Sequence, residues 1–597
     1  MIATDRMQGR IWFVTGMMAV AMLAIVVQLV RVQFGTFAPI FATAAQIGKG
    51  IVEKVYPDRG QIFDRHGRLI ATTTTAYYLE VEIRQLTIQS KKDIPIVLAE
   101  LLELEADDLE RQILIAEAGS DVVRTRLTQP AEDGRRFPIL IDGNNKVVLT
   151  LLIEDEKGPD LSGLDLAPKQ KRVYPSGPLT GHILGIVNQE GIGYFGVEGA
   201  YDDWLVGKPT EIQEVDIPLD VTSNPEPQAG SSLVLTIDLA IQYVAAQALD
   251  RAIQVTDADS GQVIVMDPRN GELLAIVAWP PLDPTQYDQW LIEGEEETPV
   301  IGPAVSGQFE PGSTFKVLVM AAALEENVVE PDDIFIDTGE IEIGGHVIRN
   351  WDGEAWGPQD MVGCLQYSLN VCLADVGANK LGAGRFYDAL EAFGIGSLTN
   401  IDLDGEVSGK LRTHRDPYWT ESDLGTNSFG QGVSVTPIQL ITAVSAIAND
   451  GEMMQPHIVR QVVGPQGSYY PKPTLIGRPL SFETTDTLNE MLAEALIKEG
   501  SLALVSGYNL AGKTGTASIP TEYGYDPRQT IATFVGWGPM EDPRFIIFVR
   551  LDKPKTSPWG SVVAAPVFRE VAERLVVLLE IPPVDVLQRI AGQVQGN

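Results

Sequence analysis

The chain has 597 residues, enough for several domains, and its 44 basic and 81 acidic residues give a formal net charge of −37. This charge argues against nucleic acid or an anionic membrane surface as the main partner. The five histidines and two cysteines show no metal-ligand spacing. There is no Walker phosphate loop, dinucleotide-binding glycine pattern or Gly-x-Ser-x-Gly elbow. We therefore expect any chemistry to use side chains alone, without a metal or cofactor.

An apolar stretch lies close to the N-terminus. Residues 11–30, IWFVTGMMAVAMLAIVVQLV, contain no charge and are long enough to cross a bilayer as a helix. Arg6 and Arg10 precede the stretch, which favours a cytoplasmic N-terminus and an exported remainder. A cleaved signal peptide is the alternative, because ATA at 42–44 resembles a cleavage site. The stretch is longer than a signal core and ends well before that site, which favours an uncleaved anchor.

The region from about Gln33 to Ala229 mixes short β-like runs with turn signals. Within it, RGQIFDRHGRLIATT predicts a strand, a turn at His66-Gly67 and a returning strand. A glycine-dense stretch, YPSGPLTGHILGIVNQEGIGYFGVEGAYDDWLVG, follows and ends in a predicted helix. The segment SNPEPQAG at 223–230 then predicts a linker into a second domain.

The sequence of the second domain predicts an α+β fold. In chain order, SSLVLTIDLAIQYVAAQALDRAIQ predicts a strand and an amphipathic helix, and a hairpin follows with its turn at Asn270-Gly271. The stretch TPIQLITAVSAIANDG predicts a helix that Thr436 caps, Pro437 begins and Gly451 ends. Three strands follow in YNLAGKTGTAS, TIATFVGWG and RFIIFVRLD, with a closing helix from about Ala565 to Leu579. This order implies helices packed against an antiparallel sheet.

The segment EPGSTFKVLVM combines a serine and a lysine with an apolar helix. Pro311 and Gly312 break the chain, and Ser313 suits the start of a helix. The following residues are rich in alanine and leucine and predict a buried helix, on which positions three apart share a face. Lys316 therefore lies under the Ser313 hydroxyl, where a lysine is costly unless it has a task or a partner. By itself the motif is also compatible with a capping serine and a snorkelling lysine.

Two further motifs support a catalytic interpretation of Ser313 and Lys316. Ser368-Leu369-Asn370 forms a polar step between two apolar helical segments, and Lys513-Thr514-Gly515-Thr516 lies on the first of the late strands. The set Ser-x-x-Lys, Ser-x-Asn and Lys-Thr-Gly is typical of penicillin-binding proteins and class A β-lactamases. Each motif alone is weak, but all three in order, on a helix start, an interhelical loop and a strand, are a strong signal.

The chain after the apolar stretch resembles the class B penicillin-binding proteins. The resemblance is carried by RGQIFDRHGRLIA, GHILGIVNQEGIGYFGVEGAYDDWLVG, FEPGSTFKVLVMAAALE, TNSFGQGVSVTPIQLITAVSAIANDG, LAGKTGTAS and VVAAPVFREVAERLV. SFGQGVSVTP is more similar to the division-type branch than to the elongation-type branch, and His66 replaces the asparagine common in the family's DRNG turn. The resemblance implies a cytoplasmic tail (1–10), a single transmembrane anchor (11–31), an elongated β-rich pedestal (32–230), a transpeptidase domain (231–581) and a tail (582–597).

The implied activity is that of a peptidoglycan D,D-transpeptidase outside the cytoplasmic membrane. A serine hydroxyl needs a base before it becomes a good nucleophile. Lys316 can serve as that base for Ser313 if desolvation and a second cation, Lys513, lower its pKa. Ser368 and Asn370 would relay protons and hold the stem-peptide amide.

The resemblance also implies the binding groups. The strand residues Thr514, Gly515 and Thr516 would bind the carboxylate of a stem peptide ending in D-Ala-D-Ala. The backbone N–H groups of Ser313 and Thr516 would form the oxyanion hole. β-Lactams are the expected inhibitors, and a membrane-embedded glycan polymerase and other cell-wall synthesis proteins are the expected partners.

The motifs are also compatible with other classes of protein, to which the rest of the sequence is suited to different degrees. A β-lactamase needs a deacylating base, for which the interval between Ser368 and Lys513 offers no convincing residue, and has no use for the long N-terminal region. A D,D-carboxypeptidase differs only in using water as acceptor, and motifs do not separate it. A non-enzymatic scaffold would not need the intact motifs, and a sensor should carry a cytoplasmic signalling domain. A bifunctional class A protein needs a glycosyltransferase domain. Pairing of Cys364 with Cys372 stays open, since the exported compartment permits it.

The apolar stretch generates a prediction about topology. Residues 11–30 should remain attached to the mature protein, with everything after Arg31 outside the cell, because the stretch is too long for a signal core. N-terminal sequencing of the protein purified from membranes measures this. A mature N-terminus near Ala45 would contradict it.

Overall fold

The computed structural model describes Met17, Met22 and residues 52–55, 57–119, 122–131, 134–155, 157–213, 228–286, 302–499, 501–521 and 524–586. The predicted anchor at 11–31 therefore lies outside the described residues, apart from Met17 and Met22. Among the residues that are described, no helix has both the length and the apolar character that a membrane crossing requires.

The chain divides into two compact units, one of residues 1–57 and 207–229 and one of residues 58–206 and 230–597. In the first half of the chain the strands are β1 Val52–Val55, β2 Ile62–Phe63, β3 Leu69–Glu82, β4 Arg124–Arg126, β5 Thr128–Pro130, β6 Arg136–Pro138, β7 Leu140–Ile141, β8 Leu164–Val173, β9 Ile186–Val187, β10 Gly193–Tyr194 and β11 Thr210–Gln213. From Val52 onward, the α-helices of the described residues in this half are α1 Ser90–Leu102, α2 Ala106–Ala118, α3 Gly143–Glu154, α4 Gly181–Leu184, α5 Gly196–Ala200 and α6 Asp202–Leu205. In the smaller unit, β1 pairs antiparallel with β11.

The long strand β3 organises the N-terminal part of the larger unit. It returns antiparallel from β2 through a turn in which Gly67 has a φ of +80°, which confirms the predicted strand–turn–strand. Further along, β3 pairs with β8, β7 and β4. The helices α1, α2 and α3 contribute to a separate apolar core with Leu79 and Val81 of β3, so this part mixes helices with strands. Its sheet continues into the next part of the chain, because β2 also pairs with the strand Ser232–Leu235.

Four buried or half-buried charged side chains join β8 to the start of this unit. Arg59 Nε lies 2.7 Å from Glu198 Oε2, and Arg59 Nη1 lies 2.6 Å from Asp202 Oδ1. The Nε atom of Arg172 lies 2.7 Å from the other oxygen of Glu198. Two guanidinium groups are thus balanced by two carboxylates, which is the arrangement that allows charges to be buried.

In the second half of the chain the strands are β12 Ser232–Leu235, β13 Ser260–Met266, β14 Leu273–Trp279, β15 Phe335–Asp337, β16 Glu340–Ile343, β17 His346–Arg349, β18 Gly357–Gln359, β19 Met453–Met454, β20 Val459–Gly464, β21 Gly467–Tyr469, β22 Leu475–Gly477, β23 Ala511–Thr521, β24 Gly524–Gly538 and β25 Phe545–Asp552. The α-helices are α7 Leu239–Thr256, α8 Pro303–Ser306, α9 Lys316–Glu325, α10 Met361–Gln366, α11 Asn370–Asp375, α12 Gly382–Ala392, α13 Glu421–Asn427, α14 Pro437–Ala448, α15 Phe482–Lys498, α16 Gly560–Val563 and α17 Ala565–Leu578. A 3₁₀ turn, Gly312–Phe315, leads directly into α9.

A five-stranded antiparallel sheet forms the centre of this half, in the order β14, β13, β25, β24, β23. Alternate residues of its strands point to opposite faces. One face packs against α7 and α17, and the other belongs to the large core that contains α9 and α14. The predicted α+β arrangement, the hairpin at Asn270-Gly271 and the three late strands are confirmed.

The helix α14 begins where the sequence predicts it, because the residues that mark its start are close together in the chain. Thr436 and Gln439 form a reciprocal capping box, and Pro437 occupies the first turn, as the sequence predicts. The helix ends at Ala448 with Asn449 as its C-cap, and Gly451 follows at a φ of +85°. Every residue of α14 is buried, so the helix is a central piece of the core behind the catalytic motifs.

Candidate active site

Ser313 lies in the 3₁₀ turn that precedes α9 and is partly exposed to a cleft of about 360 Å³. A backbone hydrogen bond holds the turn in place, because the amide of Gly312 donates to the Gly430 carbonyl at 3.0 Å. Gly312 has a φ of +55°, and a Cβ there would lie 3.0 Å from the Cβ of Ala517. The absence of a side chain therefore lets the Ser313 turn approach strand β23.

Lys316 begins α9 and is completely buried. Its Nζ donates to the Ser368 carbonyl at 2.6 Å and to Asn370 Oδ1 at 2.8 Å, and it lies 3.2 Å from Ser368 Oγ. Burial, and then the positive charge of Lys513, hold the pKa of Lys316 well below its usual value. The structure thus gives this amine three oxygen partners from one loop and favours its neutral form.

Ser368 lies in the loop that connects α10 to α11, and Asn370 is the first residue of α11. Ser368 adopts a φ of +53°, unusual for a residue other than glycine. A disulfide between Cys364 and Cys372 closes the chain around the loop, which answers the question that the sequence left open. The amide of Leu369 also donates to the Cys364 carbonyl at 3.0 Å. Covalent closure and this backbone bond hold the oxygen partners of the buried amine in place.

The motif at 513–516 forms the start of the edge strand β23. Lys513 is nearly buried, and burial lowers its pKa to about 8, with Glu499 opposing that shift. At Gly515, a Cβ would lie 2.2 Å from Thr533 Oγ1 and 2.9 Å from Thr314 Cγ2. Thr516 accepts a hydrogen bond from the Gly560 amide at 3.1 Å. Only glycine fits between this strand and the Ser313 turn.

The structure brings the predicted site residues from three distant segments into one place. Five of them line the same cleft: Ser313, Ser368, Asn370, Thr514 and Thr516. Lys316 and Lys513 lie behind its surface, and Gly515 is packed against the turn. The amine of Lys316 can accept a proton, Lys513 can supply a positive charge, and the edge of β23 can pair with an extended peptide.

Sequence reasoning missed much of the cleft wall. The missed lining residues include Trp351, Tyr367, Phe429, Gln431, Glu499 and Trp559. The rings of Trp351 and Trp559 meet edge to face with centroids 5.0 Å apart, although they come from loops far apart in the chain. The stretches NWDGEAWG and SPWGS carry tryptophans among turn residues, and this was the available signal.

Glu499 is the missed residue that bears most directly on chemistry. It follows α15, lines the cleft and lies in the interval between Ser368 and Lys513, where no convincing carboxylate was identified from the sequence. Burial raises the pKa of Glu499, and the charge of Lys513 partly opposes this shift. The carboxyl group therefore lies close enough to Lys513 to influence its protonation.

Comparisons with known proteins agree on the family. A model of the penicillin binding protein transpeptidase domain matches residues 261–573, and one of the penicillin-binding protein dimerisation domain matches residues 54–235. Stage V sporulation protein D of Bacillus subtilis is 31% identical over 531 residues, covering 86% of this chain and 77% of that protein. Peptidoglycan D,D-transpeptidase FtsI of Escherichia coli is 28% identical over 544 residues, covering 89% and 85%.

Solved structures show the same relationship. Penicillin binding protein 3 of Mycobacterium tuberculosis matches with a TM-score of 0.65 at 25% identity, covering 89% of this chain and 98% of that one. Two further structures of that protein are complexes with aztreonam and ampicillin. With the three motifs gathered at one cleft and both domain models matched, this chain belongs to the penicillin-binding proteins, and within them to class B.

The two lysines generate a prediction about pH. Acylation of Ser313 by a penicillin should first rise with pH, because Lys316 accepts a proton only after it has lost its own. The rate should then fall above about pH 8, because Lys513 loses its charge there. Stopped-flow measurement of the acylation rate constant across pH tests this expectation.

The variant Lys513→Arg is the control for the falling limb, because an arginine stays charged throughout this range. Its falling limb should move to higher pH whatever its absolute rate. A wild-type rate that keeps rising through pH 8 would show that the charge on Lys513 is not needed.

Proposed function

We propose that this protein is a peptidoglycan D,D-transpeptidase that cross-links stem peptides through an acyl-ester on Ser313. The observation that carries the proposal is the buried Lys316 amine, which is held by Ser368 and Asn370 one helical turn from the serine. A lysine in this state is a base rather than a structural cation. A relative named peptidoglycan D,D-transpeptidase and one named probable peptidoglycan D,D-transpeptidase align with this chain over 85% and 94% of their own length.

The first half of the reaction follows from these positions. Ser313 Oγ attacks the carbonyl carbon between the two terminal D-alanines while Lys316 takes the hydroxyl proton. The carbonyl oxygen becomes negative and accepts hydrogen bonds from the backbone N–H groups of Ser313 and Thr516. The C–N bond then breaks, and the proton passes to the leaving amine, with Ser368 Oγ, 3.2 Å from Lys316 Nζ, as the relay. D-Alanine departs and an ester remains.

The second half reverses the proton path. An amine of another stem peptide attacks the ester carbonyl, loses a proton to Lys316, and forms a new peptide bond as Ser313 leaves with its hydrogen restored. Thr514 and Thr516 at the edge of β23 suit the carboxylate of the donor, with the charge of Lys513 behind them. β-Lactams would enter by the first half and stop there, as stable acyl-esters.

We also propose the cellular setting. The apolar stretch 11–31 would anchor the protein in the cytoplasmic membrane by one pass, with the catalytic domain outside the cell. A pedestal at 32–230 would carry the transpeptidase domain of 231–581, and the remaining 582–597 would be a tail. The similarity of SFGQGVSVTP to the division-type branch supports a role in cell division, with a membrane-embedded glycan polymerase as partner.

Two substitutions test the mechanism. Ser313→Ala should abolish labelling by a fluorescent penicillin without unfolding the protein, because one oxygen is lost from a partly exposed turn. Lys316→Met should slow acylation by about 10²–10⁴-fold, the usual loss for a general base. Thermal stability of Lys316→Met should be kept or raised, because burying an amine with a lowered pKa costs stability at neutral pH.

Ser561→Ala is the matched control, because this serine lines the same cleft and has no assigned role. It should keep its labelling, and mass spectrometry should locate the wild-type adduct on Ser313. An adduct on another serine, or near-normal acylation in Lys316→Met, would contradict the mechanism.

The partner role is tested by exchange of the N-terminal region. Replacing residues 11–230 with an unrelated anchor should abolish function in cells, because this region carries none of the three motifs and would be the part that contacts the partner. Penicillin labelling of the purified exchanged protein is the control for its fold, since β2 of this region pairs with Ser232–Leu235 of the transpeptidase domain. Complementation of a depleted strain is the measurement, and full rescue by the exchanged protein would rule out the partner role.

A further inference from the structure

A second cleft, of about 280 Å³, lies beside strand β8 and shares no lining residue with the cleft at Ser313. Four of its lining side chains are basic, namely Arg59, Lys169, Lys171 and Arg172, and none is acidic. Such a concentration of positive charge is unexpected in a chain whose formal net charge is −37. It creates a local field that attracts anions.

Arg172 supplies the first observation that points to an anion site. Its side chain is 4% exposed, its Nε is paired with Glu198 and its Nη1 donates to the Gly60 carbonyl at 2.7 Å. Its Nη2 is buried and makes no hydrogen bond to any described residue. A buried donor of a charged group costs free energy when it stays unpaired, so an acceptor that enters the cleft would be bound favourably.

Tyr174 supplies the second sign. Its hydroxyl is buried without a satisfied hydrogen bond among the described residues, and Tyr174 lines the same cleft. Burial, reinforced by the charge of Glu198, holds the pKa of Tyr174 well above its usual value, while the charges of Arg172 and Arg59 act in the opposite direction. The Arg172 guanidinium lies close enough to the hydroxyl to interact with it, so a single acceptor in the cleft can receive from both groups. The hydroxyl therefore keeps its proton and can donate it to an acceptor.

Lys169 and Lys171 contribute further positive charge to the cleft. Glu198 and Asp202 already pair with the two arginines, so these carboxylates do not compensate Lys169 and Lys171. Lys169 donates to the Gln189 carbonyl, and its pKa is lowered by burial and by Arg126, more than Glu190 raises it. Lys171 is exposed. An entering anion would favour the charged form of both amines.

Other lining residues form an apolar and aromatic wall, with Tyr78, Phe137, Pro138 and Leu140 among them. We propose that this cleft binds an oxyanion, a phosphate or a carboxylate, carried by a small ligand whose body lies on that wall. The Nη2 of Arg172 and the hydroxyl of Tyr174 donate to the oxyanion, and the two lysines balance its charge. The site is separate from the proposed transpeptidase reaction and needs none of its residues.

Binding is measured on the full-length protein in detergent, at constant ionic strength, with inorganic pyrophosphate and with citrate as probes. At least one probe should bind saturably in calorimetry and raise Tm. Tighter binding of pyrophosphate assigns the natural group as a phosphate, and tighter binding of citrate assigns it as a carboxylate. Saturable binding of neither probe at millimolar concentration would overturn the proposal.

Three variants test where the probe binds. The double variant Lys169→Gln/Lys171→Gln should weaken binding about tenfold or more, which corresponds to ~1.4 kcal/mol. Tyr174→Phe should also weaken binding, yet keep or raise Tm without the probe, because it removes an unpaired buried hydroxyl. Lys92→Gln, an exposed lysine outside the cleft, should leave affinity unchanged. Unchanged affinity in both cleft variants, or an equal loss in Lys92→Gln, would overturn the site.

Penicillin acylation of Ser313 distinguishes loss of the site from loss of the fold. Both cleft variants should be acylated at the wild-type rate, because the two clefts have no residue in common. Weaker anion binding with normal acylation supports the proposal. Weaker binding that occurs only together with lost acylation means that the fold was disturbed, and it would overturn the assignment of these side chains to an anion site.

Discussion

The burial of one amine is the constraint on which the catalytic centre depends. Lys316 is fully enclosed at the start of a helix whose next eight residues are also buried. Water cannot solvate it there, so its three oxygen partners must come from the protein. They come from a single loop, whose position is set by the left-handed backbone of Ser368 and by the Cys364–Cys372 disulfide. The burial of Lys316 thus explains both the arrangement of the loop around its amine and the lowered pKa of that amine.

The second constraint is a close approach of backbones. The Ser313 turn and strand β23 come together where Gly312 and Gly515 have no side chains, so a Cβ at either position would press on the opposite element. This contact places Lys513 near enough to Lys316 for one charge to lower the pKa of the other. The geometry of the site and the protonation of its base are therefore coupled through two glycines.

The same physical rule operates in the N-terminal part of the larger unit, with a different result. Two arginines and two carboxylates satisfy one another in the interior, as buried charges must. Arg172 nevertheless keeps one unpaired donor at a cleft. At the catalytic centre the buried amine of Lys316 has three oxygen partners within the protein, whereas here one donor of Arg172 is left open. Lys316 is therefore suited to act as a base, and Arg172 is a candidate group for binding an acceptor that enters its cleft.

Much of the fold could be predicted because its signals are local. The capping box of α14, the turn at Asn270-Gly271 and the alternation in the late strands depend on residues within a few positions of one another. The N-terminal region was predicted to be rich in strands, but three of its helices pack on β3. In α2 the buried Leu109, Ile113 and Ala116 recur at helical spacing, so a local signal for a helix was present there. Which strand the helices pack against depends on contacts between distant residues, and the local pattern does not contain that information.

The sequence by itself determined the family, the three motifs and the residue types that can perform acyl transfer, because these depend on identity and order along the chain. Only the tertiary structure decided that Glu499, Trp351 and Trp559 line the cleft and that the two cysteines are joined. It also decided that Arg172 and Tyr174 share an open cleft. These features depend on distances between residues far apart in the chain, and burial and pKa follow from the full set of neighbours that folding assembles.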